Sequence, residues 1–182
     1  MTLTTAKWTL NDYHQMIDAG ILNDRRVELL NGEIIEMSPE GTPHAYYGNR
    51  SSKYLQRLLG ERADVREGHP ITLPNDSEPQ PDIAIVQPLD AVYLEHHPYP
   101  ENIFWIIEYS YSTIAIDLEP KRRIYASAGI REYWVVNLKT KTLIVFRDPT
   151  DGDYGWRFEF GDGTISPISF PDVVVEIARL MN

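Results

Sequence analysis

The sequence predicts an α/β fold, a mixed β-sheet flanked by helices, and three observations predict it. Apolar runs of strand length, rich in β-branched and aromatic residues, recur in "PDIAIV", "NIFWIIEYS", "REYWVVNL" and "TLIVFR". Capped segments with helical spacing stand at 9–19, 44–59 and 117–128. The chain order of strand, strand, strand, helix, strand, with helices on the flanks, is that of a mixed sheet.

The elements follow in order. Thr9 is an N-cap with Asp12 three residues on, Leu10, Tyr13 and Ile17 lie at helical spacing, and Gly20 is a stop. In "RRVELLNGEIIEM" the Asn31-Gly32 pair between two β-prone runs predicts a tight type I′ hairpin with Glu28 on its first strand. Residues 44–59 form a helix whose apolar side holds Tyr47, Tyr54, Leu55, Leu58 and Leu59 and whose polar side carries Arg50, Lys53 and Arg57. Residues 64–73 are expected to be a strand, and "NDSEPQ" a loop. Pro81 opens the strand of "PDIAIV", where a missing N–H is tolerated. The Pro-rich stretch 88–100, with His96 and His97, is a connection and is given no site. "NIFWIIEYS" is nearly continuous in apolar residues, as expected of a central strand covered on both faces. Asp117 is expected to cap the next helix, with Pro120 in its first turn and Gly129 at its end. Two further strands flank "KTK", with Tyr133 and Trp134 in the core. The tail adds a strand around 156–160 and an apolar run over 173–180.

At 182 residues the chain is expected to be one domain, 1–182. It has no cysteine, which excludes disulfides, thiolate zinc sites and a cysteine nucleophile, so any metal must be held by oxygen or histidine. No stretch is apolar enough to cross a bilayer, and the first residues lack a basic flank and an apolar signal core; the expected location is the cytoplasm, without a membrane partner. A net charge of -10 argues against a protein that coats nucleic acid by non-specific electrostatics. It is compatible with an enzyme whose carboxylates gather a divalent metal.

Two acids invite chemistry. Asp82 follows Pro81 at the start of one apolar strand and Glu108 sits near the end of the next, where an unpartnered carboxylate is costly to bury. On adjacent strands the two can point into one cleft, and two hard oxygen ligands plus waters are the usual protein share of a Mg²⁺ site. Each acid alone also has a plain structural reading, as turn chemistry or a strand end reaching water. Lys121, four residues beyond Asp117, alone reads as an ordinary helical ion pair.

Together, "VELLNGEIIEMSPEGTPH", "PDIAIV", "IIEYS", "EYS-x-ST" leading into the D-x-x-x-K of "DLEPK", and "YASAGIREYWVVNL" resemble the Uma-type restriction endonuclease family, expanded in cyanobacteria, of the PD-(D/E)XK nuclease superfamily. The resemblance runs from about Val27 to Leu138. It implies a restriction-endonuclease-like sheet flanked by helices, Mg²⁺- or Mn²⁺-dependent cleavage of DNA, and a homodimer. Carried over residue by residue, it implies Asp82 and Glu108 as metal ligands. Ser110 stands where the superfamily has lysine, and the resemblance supplies Lys121 from the following helix instead; side chains that lean toward the helix N-terminus allow that reach. Asp117 would then orient Lys121 or cap its helix, and Glu28 would complete the metal shell or position water. His44 matches a histidine of the family and is expected either at the site or as an ordinary helix residue. Arg50, Lys53 and Arg57 at i, i+3 and i+7 are candidates for the DNA backbone, or a solvated face. Two other readings stay open: a catalytically inactive DNA-binding or protein-interaction module on this fold, and a metal-dependent phosphodiesterase acting on a small substrate.

Overall fold

The computed structural model describes residues 5–111 and 114–181. Ser112 and Thr113 of the "EYS-x-ST" motif lie outside the described residues. The chain opens with α1 (Leu10–Asp18), where Thr9 and Asp12 form a reciprocal capping box. The hairpin of β1 (Val27–Leu30) and β2 (Glu33–Glu36) pairs Leu30 with Glu33. Asn31 and Gly32 both take positive φ, 51° and 75°, as a type I′ turn requires. After α2 (Thr42–Leu59) come β3 (Asp64–Glu67), β4 (Ile83–Val86) and β5 (Ile103–Ser110). A helix then runs from α3 (Ile114–Ile116) through a π-helical turn, Asp117–Lys121, into α4 (Arg122–Ser127). The strands β6 (Glu132–Asn137), β7 (Thr142–Thr150) and β8 (Asp153–Phe160) follow, then β9 (Thr164–Ile165), β10 (Val175–Glu176) and α5 (Ala178–Met181).

Six strands form one mixed sheet in the order β3-β4-β5-β6-β7-β8. Only β5 and β6 run parallel, because the helix that joins them carries the chain back along the sheet. The sheet separates two apolar layers. One face, with Ile83, Ile85, Trp105, Ile107 and Trp134, packs on Leu55 and Leu59 of α2 and on the tail from Val173 to Met181. The opposite face, with Ala84, Val86, Ile106, Tyr133 and Val135, packs on Ile124 and Tyr125 of α4. Since side chains alternate along a strand, Glu108 shares the face of Ile106 and is aimed at the helix that carries Lys121. No helix among the described residues is long and apolar enough to cross a membrane.

Two expectations are corrected. The strand expected over 64–73 ends at Glu67, because Gly68 turns the backbone to φ 64°; Leu73 then makes only an isolated bridge to Ser77. The helix expected to start at Asp117 is already formed at Ile114, so Asp117 is not its cap and Pro120 is not in its first turn. A proline inside an α-helix lacks the N–H for the ladder and collides with the carbonyl four residues back. Here the helix widens into a π turn around Pro120, and both Asp117 and Lys121 are buried against the sheet.

Candidate active site

The β4–β5 register pairs Ile83 with Ile107, which sets Asp82, one residue before β4, beside Glu108. The Asp82 backbone N–H donates to Glu108 Oε2 at 3.2 Å, and the Tyr109 N–H donates to Asp82 Oδ2 at 2.6 Å. The two carboxylates are thus tied together through the Asp82 and Tyr109 amides. Lys121 Nζ donates to Glu108 Oε1 at 3.0 Å and lies 3.3 Å from Glu28 Oε2. Lys121 therefore reaches Glu108 across the turn into the helix. Glu28 is held from its other side by the Gln80 N–H at 3.1 Å.

Ser110 is fully buried and donates its hydroxyl to Asp117 Oδ2. Asp117 also accepts the Tyr133 hydroxyl on its backbone carbonyl at 3.1 Å, which ties the π turn to β6. His44, in the first turn of α2, joins Asp82 Oδ2 through Nε2 at 2.9 Å and Glu40 Oε1 through Nδ1 at 2.7 Å. The structure therefore brings His44 to the cluster. Arg50 and Lys53 line a shallow groove that shares Glu40, Asn49 and Glu67 with the cleft; Arg57 is exposed and lines neither.

Electrostatics follow from one buried ammonium among several acids. Burial alone would lower Lys121, but Glu108, Glu28, Asp117 and Asp82 hold it well above the ordinary lysine value, so it stays charged. Glu108 is pushed up to about 8, first by burial and then by Asp82, Asp117 and Glu28, against the pull of Lys121. Burial lowers His44, yet its bonds to Asp82 and Glu40 outweigh that and raise it to about 9, so it is an imidazolium at neutral pH. The cleft, about 680 Å³, is lined by seven acids, Glu28, Glu36, Glu40, Glu67, Asp82, Glu108 and Asp117, against Arg26, Lys121 and His44. It is short of positive charge.

That shortage, and hard carboxylate donors side by side, fit a divalent cation of the Mg²⁺ class. Among the described residues no three His, Asp or Glu side chains form a ligand cluster, so the protein's share would be Asp82 and Glu108. Such an ion is usually bound by one or two carboxylates plus waters and substrate phosphates, so two suffice.

Sequence reasoning missed Tyr125, whose buried hydroxyl donates to Glu108 Oε1 at 2.8 Å. Its signal was present: it lies four residues after Lys121, on the same side of the helix. Tyr125→Phe should lower stability by about 1–2 kcal/mol, because a buried carboxylate loses one donor while its apolar packing is kept. Urea denaturation of the two proteins checks this, and an unchanged midpoint would show that the hydrogen bond contributes nothing.

Among solved structures, the fold matches a crystal structure from Anabaena variabilis described as "a putative nuclease belonging to DUF820". The TM-score is 0.65 at 16% sequence identity, over 86% of this chain and 90% of that one, a likeness that shows the shared fold. No curated protein matches the chain. The Uma2 family model, described as "Putative restriction endonuclease", matches residues 10–178, which include every strand of the sheet and all the residues of the acid–lysine cluster, and the chain belongs to that family.

Proposed function

We propose that this chain is one nuclease domain that hydrolyses phosphodiester bonds of DNA with a divalent metal. The observation that carries the reading is the Lys121 ammonium 3.0 Å from Glu108, which is itself bonded to the backbone of Asp82. This unites two acids and one lysine although Ser110 occupies the lysine position. Mg²⁺ or Mn²⁺ held by Asp82 and Glu108 would polarise a phosphate oxygen and make a bound water more acidic. Lys121 keeps Glu108 oriented and offers an N–H beside it, where it can hold a water or stabilise charge on the phosphoryl group. Glu28, whose carboxylate lies 3.3 Å from the ammonium, helps to aim it. The His44 imidazolium steadies Asp82 and adds positive charge at the cleft. Arg50 and Lys53, in the adjoining groove, are in place to meet a nucleic-acid backbone, with Arg57 farther along the same helix.

Supercoiled plasmid incubated with Mn²⁺ should be nicked by the native protein. Asp82→Asn and Glu108→Gln should each lose that activity together with Mn²⁺ binding measured by calorimetry. Turnover of a chromogenic diester without nicking would point to a small substrate. Mn²⁺ binding that survives both substitutions would sink the carboxylate site, and the burial of Ser110 against Asp117 would then favour a silent scaffold.

A further inference from the structure

Among the described residues, β8 at the far edge of the sheet has a neighbour on one side only, β7. Natural edge strands are blunted by proline, lysine, bulges or cover. The eight residues of β8, DYGWRFEF, contain neither proline nor lysine, and Gly155 to Glu159 are exposed. On one face Trp156 and Phe158 remain 59% and 40% exposed, stacked at 6.3 Å and 10°, with Phe160 next in the row at 6.4 Å. This aromatic row extends the core face of Leu143 and Val145 beyond the edge of the sheet. The other face carries Arg157 and Glu159, paired at 2.9 Å.

We propose that β8 is the edge through which two copies of this chain pair, antiparallel and centred on Phe158, to continue the sheet as a homodimer. The charges select the occupant and the register. In a two-fold antiparallel pairing, facing residues share a face, so the axis must pass through a residue. Centred on Arg157, two guanidinium groups stand opposite each other; centred on Glu159, two carboxylates do. Centred on Gly155, Arg157 faces the partner's Asp153 but Glu159 faces the partner's Asp151; centred on Trp156, Glu159 faces the partner's Asp153. Centred on Phe160, Phe158 faces the partner's Asp162. Centred on Phe158, Arg157 faces the partner's Glu159 twice and Trp156 faces the partner's Phe160 twice, so both faces are complementary. Opposite charges and aromatic pairs directly across strands stabilise an antiparallel pair, and like charges destabilise it.

β5 lies three strands from β8. With strands about 4.8 Å apart, the two copies of β5 would be separated by about 34 Å across the paired sheets. The cleft residues take no part in the pairing, so oligomeric state tests the edge independently of any nuclease activity.

Sedimentation velocity over a concentration series should show the native protein moving from monomer to twice the chain mass. R157E and E159R should each remain monomeric at the concentration where the native protein is dimeric, with unchanged circular dichroism. The double charge swap R157E/E159R restores opposite signs across the axis and should recover the dimer. A native protein that stays monomeric, a dimer that survives either single substitution, or a double variant that stays monomeric would each overturn the proposal.

Discussion

Lys121→Met should abolish metal-dependent nicking and, in chelator, cost about 3–5 kcal/mol of stability near pH 8. Methionine keeps most of the lysine's volume, so the loss does not come from a cavity. It comes from Glu108 and Glu28, both buried, left without the ammonium that lies 3.0 and 3.3 Å from their oxygens. Removing one partner of a buried ion pair leaves an uncompensated charge, which is far worse than never having buried the pair. The loss should grow with pH. Glu108 is raised from 4.5 to about 8, so the folded protein keeps a proton there that the unfolded chain has released, and stability falls as pH rises through that window. Without Lys121 the folded value rises further, and the fall extends beyond pH 8. Below about pH 4.5 Glu108 is protonated in both proteins and its share of the difference vanishes. Thermal melts in chelator at pH 5 and pH 9 decide: equal losses at both would show that Lys121 does not compensate Glu108.

The parts of this architecture that were legible in the sequence are those dictated locally. Asn31-Gly32 specifies a positive-φ turn whatever surrounds it, and Thr9 with Asp12 caps α1 within one turn. The β-branched and aromatic runs marked β4 to β7, and the mixed α/β architecture followed from their order. The misreadings arise where distant packing overrides local preference. Pro120 resembles a first-turn proline, yet burial of Asp117 and Lys121 against β5 is served by a helix that begins earlier and widens around it. Gly68 ends β3 although Ile71 and Leu73 continue an apolar alternation, because those two side chains are drawn into the core beneath α4 instead. At the site, the reach of Lys121 to Glu108 could be argued from helix lean, whereas Glu28 stands on the separate β1–β2 hairpin and comes to them by packing. The bonds of His44 to Asp82 and of Tyr125 to Glu108 join residues 38 and 17 positions apart; the family resemblance points to His44, and helical spacing from Lys121 points to Tyr125, but the assembled fold fixes the bonds themselves.

Arg147→Ala should destabilise the protein by about 3–5 kcal/mol, an effect as large as any at the cleft, although it lies on the far side of the β5–β6 pair. Glu132 opens β6 with its side chain fully buried. It accepts from Arg147 at 2.9 and 2.6 Å and from the Trp134 indole at 2.8 Å on one oxygen, and from the Ile168 N–H at 2.7 Å on the other. Arg147 also reaches the Ser166 carbonyl at 2.8 Å, so the pair clasps the segment after β9 onto the sheet. Alanine leaves the carboxylate with two neutral donors and no counter-charge. For a chain of this size the loss corresponds to a fall in Tm of roughly 6–20 °C. Glu132→Gln/Arg147→Met should recover much of it, because neither an orphaned carboxylate nor an orphaned guanidinium then remains buried. β6 pairs with β5 at Val135 opposite Glu108, and Tyr133 holds the π turn that presents Lys121. Loosening the clasp should therefore also raise amide exchange at Tyr109 and Ser110, measured by hydrogen–deuterium exchange. Exchange that rises only within β7 would confine the clasp to its own corner of the sheet.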